Sequence, residues 1–246
     1  MNRFWKRTLA AVLALGMAVS LTACGGGGLS SFDATKYVQG ILDENYLGKY
    51  DDDFLEMVDS TASEAEEIYA HNLEQESNYF ASVFGIEDMS GDTLDATMEL
   101  YRKIYANSKY TVDPATKQDD DTFSVKVTVE PIDVFHLVAD EFSKLDGDSA
   151  NITSPAVKAF SDKYMDIDVN TMTDEQYETY LADFETDWTQ MILDLTEEKL
   201  PDSGYLDAKS ILIQVTKDED GIWGIPDEDF QNLDWLIIDY NIQNIQ

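Results

Sequence analysis

The chain has a single cysteine, Cys24, and therefore cannot close a disulfide within itself. Its two histidines, His71 and His136, stand 65 positions apart, with no H-E-x-x-H pattern and no Cys/His cluster to hold zinc. There is no G-x-S-x-G or S-x-x-K nucleophile motif and no phosphate-cradling glycine pattern. Basic residues are scarce. From residue 24 onward, thirteen of them face fifty acidic ones, a formal charge of −37, and Arg102 is the only arginine in that stretch. A nucleic-acid binder shows a basic patch, and this composition argues against one. The same charge argues against a folded body lying flat on anionic lipid. Hydrophobic residues make up 43% and aromatics 11%, which is enough to build a core rather than a disordered chain.

The first 23 residues read as a signal peptide. Arg3, Lys6 and Arg7 give a positive start, and Leu9 to Leu21 is an apolar run broken only by Gly16 and Ser20. That run is short for a ~30 Å hydrocarbon core, which takes about 20 apolar residues. It ends in Leu21-Thr22-Ala23-Cys24, which resembles a bacterial lipobox. The resemblance implies a diacylglyceryl thioether on Cys24, cleavage after Ala23, and a place on the extracellular face of the cell membrane. Stable anchoring takes two membrane signals, and two acyl chains on one cysteine supply them. Gly25 to Ser31 would then be a flexible tether with roughly 15 Å of reach. The expected organisation is a signal peptide over 1–23, the lipidated cysteine and tether over 24–31, and one α+β domain over 32–246. A Gly/Asp/Ser/Asn-rich stretch at 146–154 marks a possible internal boundary.

Apolar periodicity predicts helices over Asp33–Tyr46, a short Asp51–Asp59 segment, Thr61–Phe84 and about Gly91–Asn107. Thr61-Ala62-Ser63-Glu64 has the form of a capping box. The period then drops to two. Tyr110–Val112 and Phe123–Val129 read as strands, with Phe123, Val125, Val127 and Val129 on one face. Helices follow over Val134–Leu145, from Pro155 to Tyr164, and from a second capping box at Thr173 to Lys199. Tyr205–Thr216 reads as a strand, Asp220-Gly221 as a hairpin turn, Ile222–Ile225 as a return strand, and Phe230–Tyr240 as a terminal helix. The fold class expected is α+β: N-terminal helices, a small antiparallel sheet formed from both halves, and a helical middle segment.

Tyr46 to Asp51, and Lys217-Asp218-Glu219-Asp220-Gly221-Ile222-Trp223, resemble stretches of uncharacterised lipoproteins of clostridia and related Gram-positive bacteria. The late hairpin also resembles the closing hairpin of small NTF2-like α+β domains, although a helical segment over 134–204 would be a large insertion in such a cone. The resemblance implies an exported, lipid-anchored protein and assigns no catalytic residue.

Calcium is the cation best matched to the abundant carboxylates. Thr216 to Asp227 can be laid on a twelve-residue EF-hand loop, but Thr216 takes the place of the first Asp and Asp227 that of the final Glu. A hairpin turn explains that stretch better, and the runs Asp51–Asp53 and Asp119–Asp121 read as solvated faces. Neither a cofactor nor a metal ligand is assigned. Trp188, Trp223, Trp235 and the tyrosines suit either core packing or stacking on a ligand. Arg102 suits an ion pair with Glu99 or a clamp on a carboxylate.

Three functions remain open. The first is a non-catalytic binding or interaction module with an extracellular ligand or protein partner. The alternative is a carboxylate-dependent extracellular hydrolase, which requires a buried acid of raised pKa facing another in a cleft. The third is a spacer, which requires no pocket.

Overall fold

The computed structural model describes residues 29–146, 151–219 and 221–240. The expected signal peptide, Cys24 and Gly25–Gly28 lie outside the described residues. Four helices come first: α1 (Ser31–Leu47), α2 (Asp52–Met57), α3 (Ala62–Phe84) and α4 (Gly91–Tyr105). Both α1 and α3 open with a capping box, Ser30 with Asp33 and Thr61 with Glu64. Both close on a left-handed glycine, Gly48 and Gly85, a conformation open to a residue without a Cβ.

Strands β1 (Lys109–Val112), β2 (Thr116–Lys117) and β3 (Thr122–Glu130) follow, and β4 (Lys209–Lys217) and β5 (Trp223–Gly224) complete the sheet. The order is β1-β3-β4-β5, with β2 also paired to β3, and every strand pairing is antiparallel. Val125 pairs with Ile213 and Phe123 with Val215, so the period-two pattern puts both strands' apolar residues on one face. That face lies against the helices: Phe123, Val125, Val127, Val129, Ile213 and Val215 are all buried. The fold is therefore α+β, with the sheet drawn from both halves.

The middle segment is helical: α5 (Val134–Ser143), α6 (Pro155–Tyr164) and α7 (Asp174–Lys199). The apolar stripe of α7 splits in two. Its C-terminal half reaches the core through Met191, Ile192 and Leu195. Its N-terminal half packs on α6 through a row of rings, with Tyr164 against Tyr180 at 5.7 Å and Phe160 against Phe184 at 5.2 Å. Tyr177 and Leu181, expected to face inward, are 43% and 38% exposed, because this part of the helix lies at the edge of the core.

Of the 146–154 stretch expected as an internal boundary, residues 147–150 lie outside the described residues, and Thr153 and Ser154 are held by Glu141. This carboxylate accepts from the Thr153 and Ser154 amides, at 2.5 and 2.8 Å, and from the Thr153 hydroxyl at 2.9 Å. Lys144 and Lys199 pair with it at 2.8 and 3.4 Å. Those hydrogen bonds overcome the cost of burial and hold its pKa down at about 2.

The terminal helix departs from expectation. α8 runs over Asp227–Asp234, starting before Phe230 and stopping well before Tyr240. The chain then extends: the Ile132 amide donates to the Ile237 carbonyl at 2.9 Å, and the Asp239 amide donates to the Ile132 carbonyl at 3.0 Å. Satisfying these backbone groups against the end of β3 outweighs continuing the helix. The β4–β5 connection is a hairpin as expected, with the Asp218 amide donating to the Ile222 carbonyl at 2.8 Å; Asp220 itself lies outside the described residues.

Candidate functional site

The end of α1 carries three successive polar residues that are all buried: Glu44, Asn45 and Tyr46. Three neighbouring helical positions sweep about 200° around the axis. A helix buried over that arc is enclosed on nearly every side, here with α3, α4, β1 and β3 among its neighbours. This enclosure is what brings polar side chains from distant parts of the chain together.

Each surrounding helix contributes residues about one turn apart, and so on one face. From α3 come Asn72, Gln75 and Glu76, from α4 Tyr101 and Tyr105, and from α8 Phe230 and Asp234. The extended segment after α8 adds Tyr240. The Tyr46 hydroxyl donates to Asp234 Oδ1 at 2.9 Å. The Tyr240 hydroxyl donates to Glu76 Oε2 at 3.0 Å and stands 2.5 Å from the Tyr101 hydroxyl. Asn72 Nδ2 donates to Asn45 Oδ1 at 2.5 Å, and Asn45 Nδ2 donates to the Ile41 carbonyl at 2.8 Å. The rings of Tyr46 and Tyr105 lie 5.3 Å apart.

These groups line a half-enclosed pocket of about 10 Å³, bounded by Asn45, Tyr46, Asn72, Gln75, Glu76, Tyr105, Phe230 and Asp234. That is room for about one water molecule. Asn72 is only 8% exposed, and its Oδ1 has no hydrogen-bond partner. Burial raises the pKa of Glu76 well above the ordinary carboxylate value, and the neighbouring Asp234 charge raises it further, against the pull of the Tyr240 and Tyr105 hydroxyls. Burial also raises Asp234, and the Tyr46 hydrogen bond opposes it. The pair therefore holds a proton that exposed carboxyls would have released. The hydroxyls of Tyr46, Tyr101, Tyr105 and Tyr240 are pushed up by the same burial and stay neutral.

Another buried acid lies next to this group on α1. Glu44 is fully buried, neither of its oxygens has a hydrogen-bond partner, and burial lifts its pKa to about 7.

The residues singled out from sequence sit elsewhere. Asp51 caps α2 through the Phe54 amide at 2.7 Å, Asp53 pairs with Lys36 at 2.9 Å, and Asp120 pairs with Lys117 at 2.8 Å. Arg102 meets Glu66 at 4.0 Å and lies over the Tyr69 ring, in place of the expected Glu99. Cation–π contact with a tyrosine on the facing helix draws it across from its own turn. Trp188 donates to the Phe84 carbonyl at 2.8 Å and Trp223 packs on Phe123, while Trp235 is half exposed beside Tyr79. Among the described residues, no group of three or more His, Cys, Asp or Glu is placed to hold a metal ion.

The signal that could have found the pocket was an acid inside an apolar stripe. Glu76 lies between Leu73 and Phe80, and Asp234 between Phe230, Leu233 and Ile237. A carboxylate on an inward face is costly unless something answers it.

Fold and site together define an α+β protein with a buried acid–tyrosine pocket. No family model matches the chain, and no curated protein matches it significantly. Its fold is similar to the crystal structure of YcdA from Bacillus subtilis, a candidate lipoprotein, with a TM-score of 0.55 and 16% identity. The match covers 84% of this chain and 56% of that one, so the chain spans little more than half the length of its neighbour. At that identity the likeness is one of fold. Among the described residues, no helix is long and apolar enough to cross a membrane.

Proposed function

We propose that the chain is a lipid-anchored lipoprotein of the extracellular membrane face, acting as a binding module through its acid–tyrosine pocket. The Leu21-Thr22-Ala23-Cys24 pattern supports the anchor on Cys24, and a fold shared with a candidate lipoprotein agrees with it. The observation that carries the binding reading is the pocket itself. Convergent polar groups, one of them buried and unsatisfied, stand in a concave site without a nucleophile motif.

Two experiments test the reading. Cys24→Ser should release the protein from the membrane fraction; retention of the variant there would refute the anchor. For the pocket, a thermal-shift screen over amines, amino acids, sugars, peptides and calcium should give a shift with one class. A ligand at 100 times its Kd adds about 2.7 kcal/mol, roughly 5–11 °C for a domain of this size. A cooperative melt that no class moves would remove the binding reading.

One observation favours a second reading. Glu76 has a raised pKa and shares its pocket with Asp234, which is the arrangement a carboxylate hydrolase requires. That reading predicts extracellular hydrolysis lost in both Glu76→Gln and Asp234→Asn. Space for about one water favours binding over polymer cleavage.

A further inference from the structure

The ligand class follows from size, charge and hydrogen-bonding sense. Resting on the binding reading above, we infer that Glu76, Asp234 and Asn72 form a receptor for a primary ammonium group, the end of an amine, a diamine or a basic amino acid.

Size comes first. A pocket with room for about one water admits an –NH₃⁺ head, which is of that size, with its carbon chain directed to the open side. A trimethylammonium group or a sugar ring is far larger. Hydrogen-bonding sense comes second. An ammonium group has three donors and no acceptor. The pocket offers the carboxyls of Glu76 and Asp234 and the unpartnered Oδ1 of Asn72, which is an acceptor left over inside a buried site. Charge comes third. No lysine, arginine or histidine is among the lining residues, so the two acids have no resident counter-cation there. An anionic ligand would add to the repulsion. A hard divalent cation takes six to eight oxygens and finds only two carboxyls here.

The resident proton gives the binding a signature. The groups facing Glu76 are Asp234 from α8, Tyr46 from α1, Tyr79 from its own helix, Tyr101 and Tyr105 from α4, and Tyr240. All the tyrosines are neutral, so the two acids alone carry the exchangeable charge. An entering ammonium group takes the place of the proton they share, and that proton leaves to solvent. Binding should therefore tighten as pH rises while the amine itself, of pKa about 10.4 for a lysine side chain, stays charged.

The test is calorimetry and thermal shift on the full chain in detergent micelles, at matched ionic strength. The probes are methylammonium, 1,5-diaminopentane and lysine, against tetramethylammonium, sodium and calcium. The expected result is saturable binding of the primary amines only, with proton release seen as a heat that changes with the buffer's ionisation enthalpy. Glu76→Gln should weaken it about tenfold or more, the worth of a charge-assisted hydrogen bond. Should Glu76→Gln fail to fold by circular dichroism, Asp234→Asn serves as the second variant. Tetramethylammonium or sodium acting as well as the amines would overturn the inference, as would amine affinity unchanged in a folded variant. A response in the thermal-shift screen above to a sugar or peptide alone, lost on Glu76→Gln, would overturn the ammonium class and leave the binding reading intact. Silence from every class would remove both.

Discussion

The Tyr240 hydroxyl reaches across 164 positions of chain to donate to Glu76 Oε2 at 3.0 Å. It also stacks on Phe135, with ring centroids 4.7 Å apart, so one side chain fastens the late extended segment to α3 and α5 together. Tyr240→Phe keeps the stacking and removes the hydroxyl, with its hydrogen bonds to Glu76 and Tyr101. Loss of a hydrogen bond to a buried carboxyl costs about 1–3 kcal/mol. Urea denaturation should show a lower midpoint with an unchanged slope, because the core stays packed. An unaltered midpoint would mean that the hydroxyl does nothing for stability.

The pH dependence of stability should run against the usual acid-denaturation pattern between about pH 4.5 and 7. Glu44 has a folded pKa of about 7 against an ordinary value of 4.5. In that window the folded state keeps the proton and the unfolded state has lost it, so stability falls as pH rises. Glu76 and Asp234 are displaced in the same direction. Glu44→Leu should raise Tm at pH 8 by more than at pH 5. A gap of roughly 2–4 kcal/mol follows from the size of the shift, and each kcal/mol is worth about 2–4 °C here. Equal gains at both pH values would show that Glu44 is not held protonated.

Glu141 acts in the opposite sense. Its pKa is lowered to about 2, so its contribution is fully present above about pH 4.5 and is lost as pH falls through 2. Glu141→Ala leaves Lys144, Lys199 and the Thr153 and Ser154 amides without their shared acceptor. Removing one partner of a buried ionic cluster costs about 3–5 kcal/mol. Limited proteolysis should then cut the variant in the 146–154 stretch much faster than the parent. Equal cleavage rates would show that the clasp does not hold that stretch.

Much of the fold was legible because local rules and tertiary packing agree. Thr61 with Glu64, and Thr173 with Gln176, form the capping boxes that their spacing announces. The alternation over Phe123–Val129 becomes a half-buried strand. Legibility ended where a long-range contact overrode a local pattern. Leu233, Leu236, Ile237 and Tyr240 keep helical spacing, yet the chain leaves the helix after Asp234 to pair with Ile132. The pocket was illegible for a related reason. Its lining runs from Asn45 to Asp234, and no single window of sequence holds more than two or three of its members. Only the anomaly of Glu76 and Asp234 within apolar stripes pointed to it, among fifty acidic residues that are mostly ordinary surface.

The bridge between Ile132 and Ile238 also makes the pocket depend on the segment that follows α8. Glu44 and Glu76 come from α1 and α3. Asp234 bonds a residue 188 positions earlier in the chain, and Tyr240 one 164 positions earlier. Without that segment in place Glu76 lacks both its acidic neighbour and its Tyr240 donor, and the pocket has a wall without its closing side. The site thus exists only where the segment from α8 to Tyr240 has docked on α1 and α3.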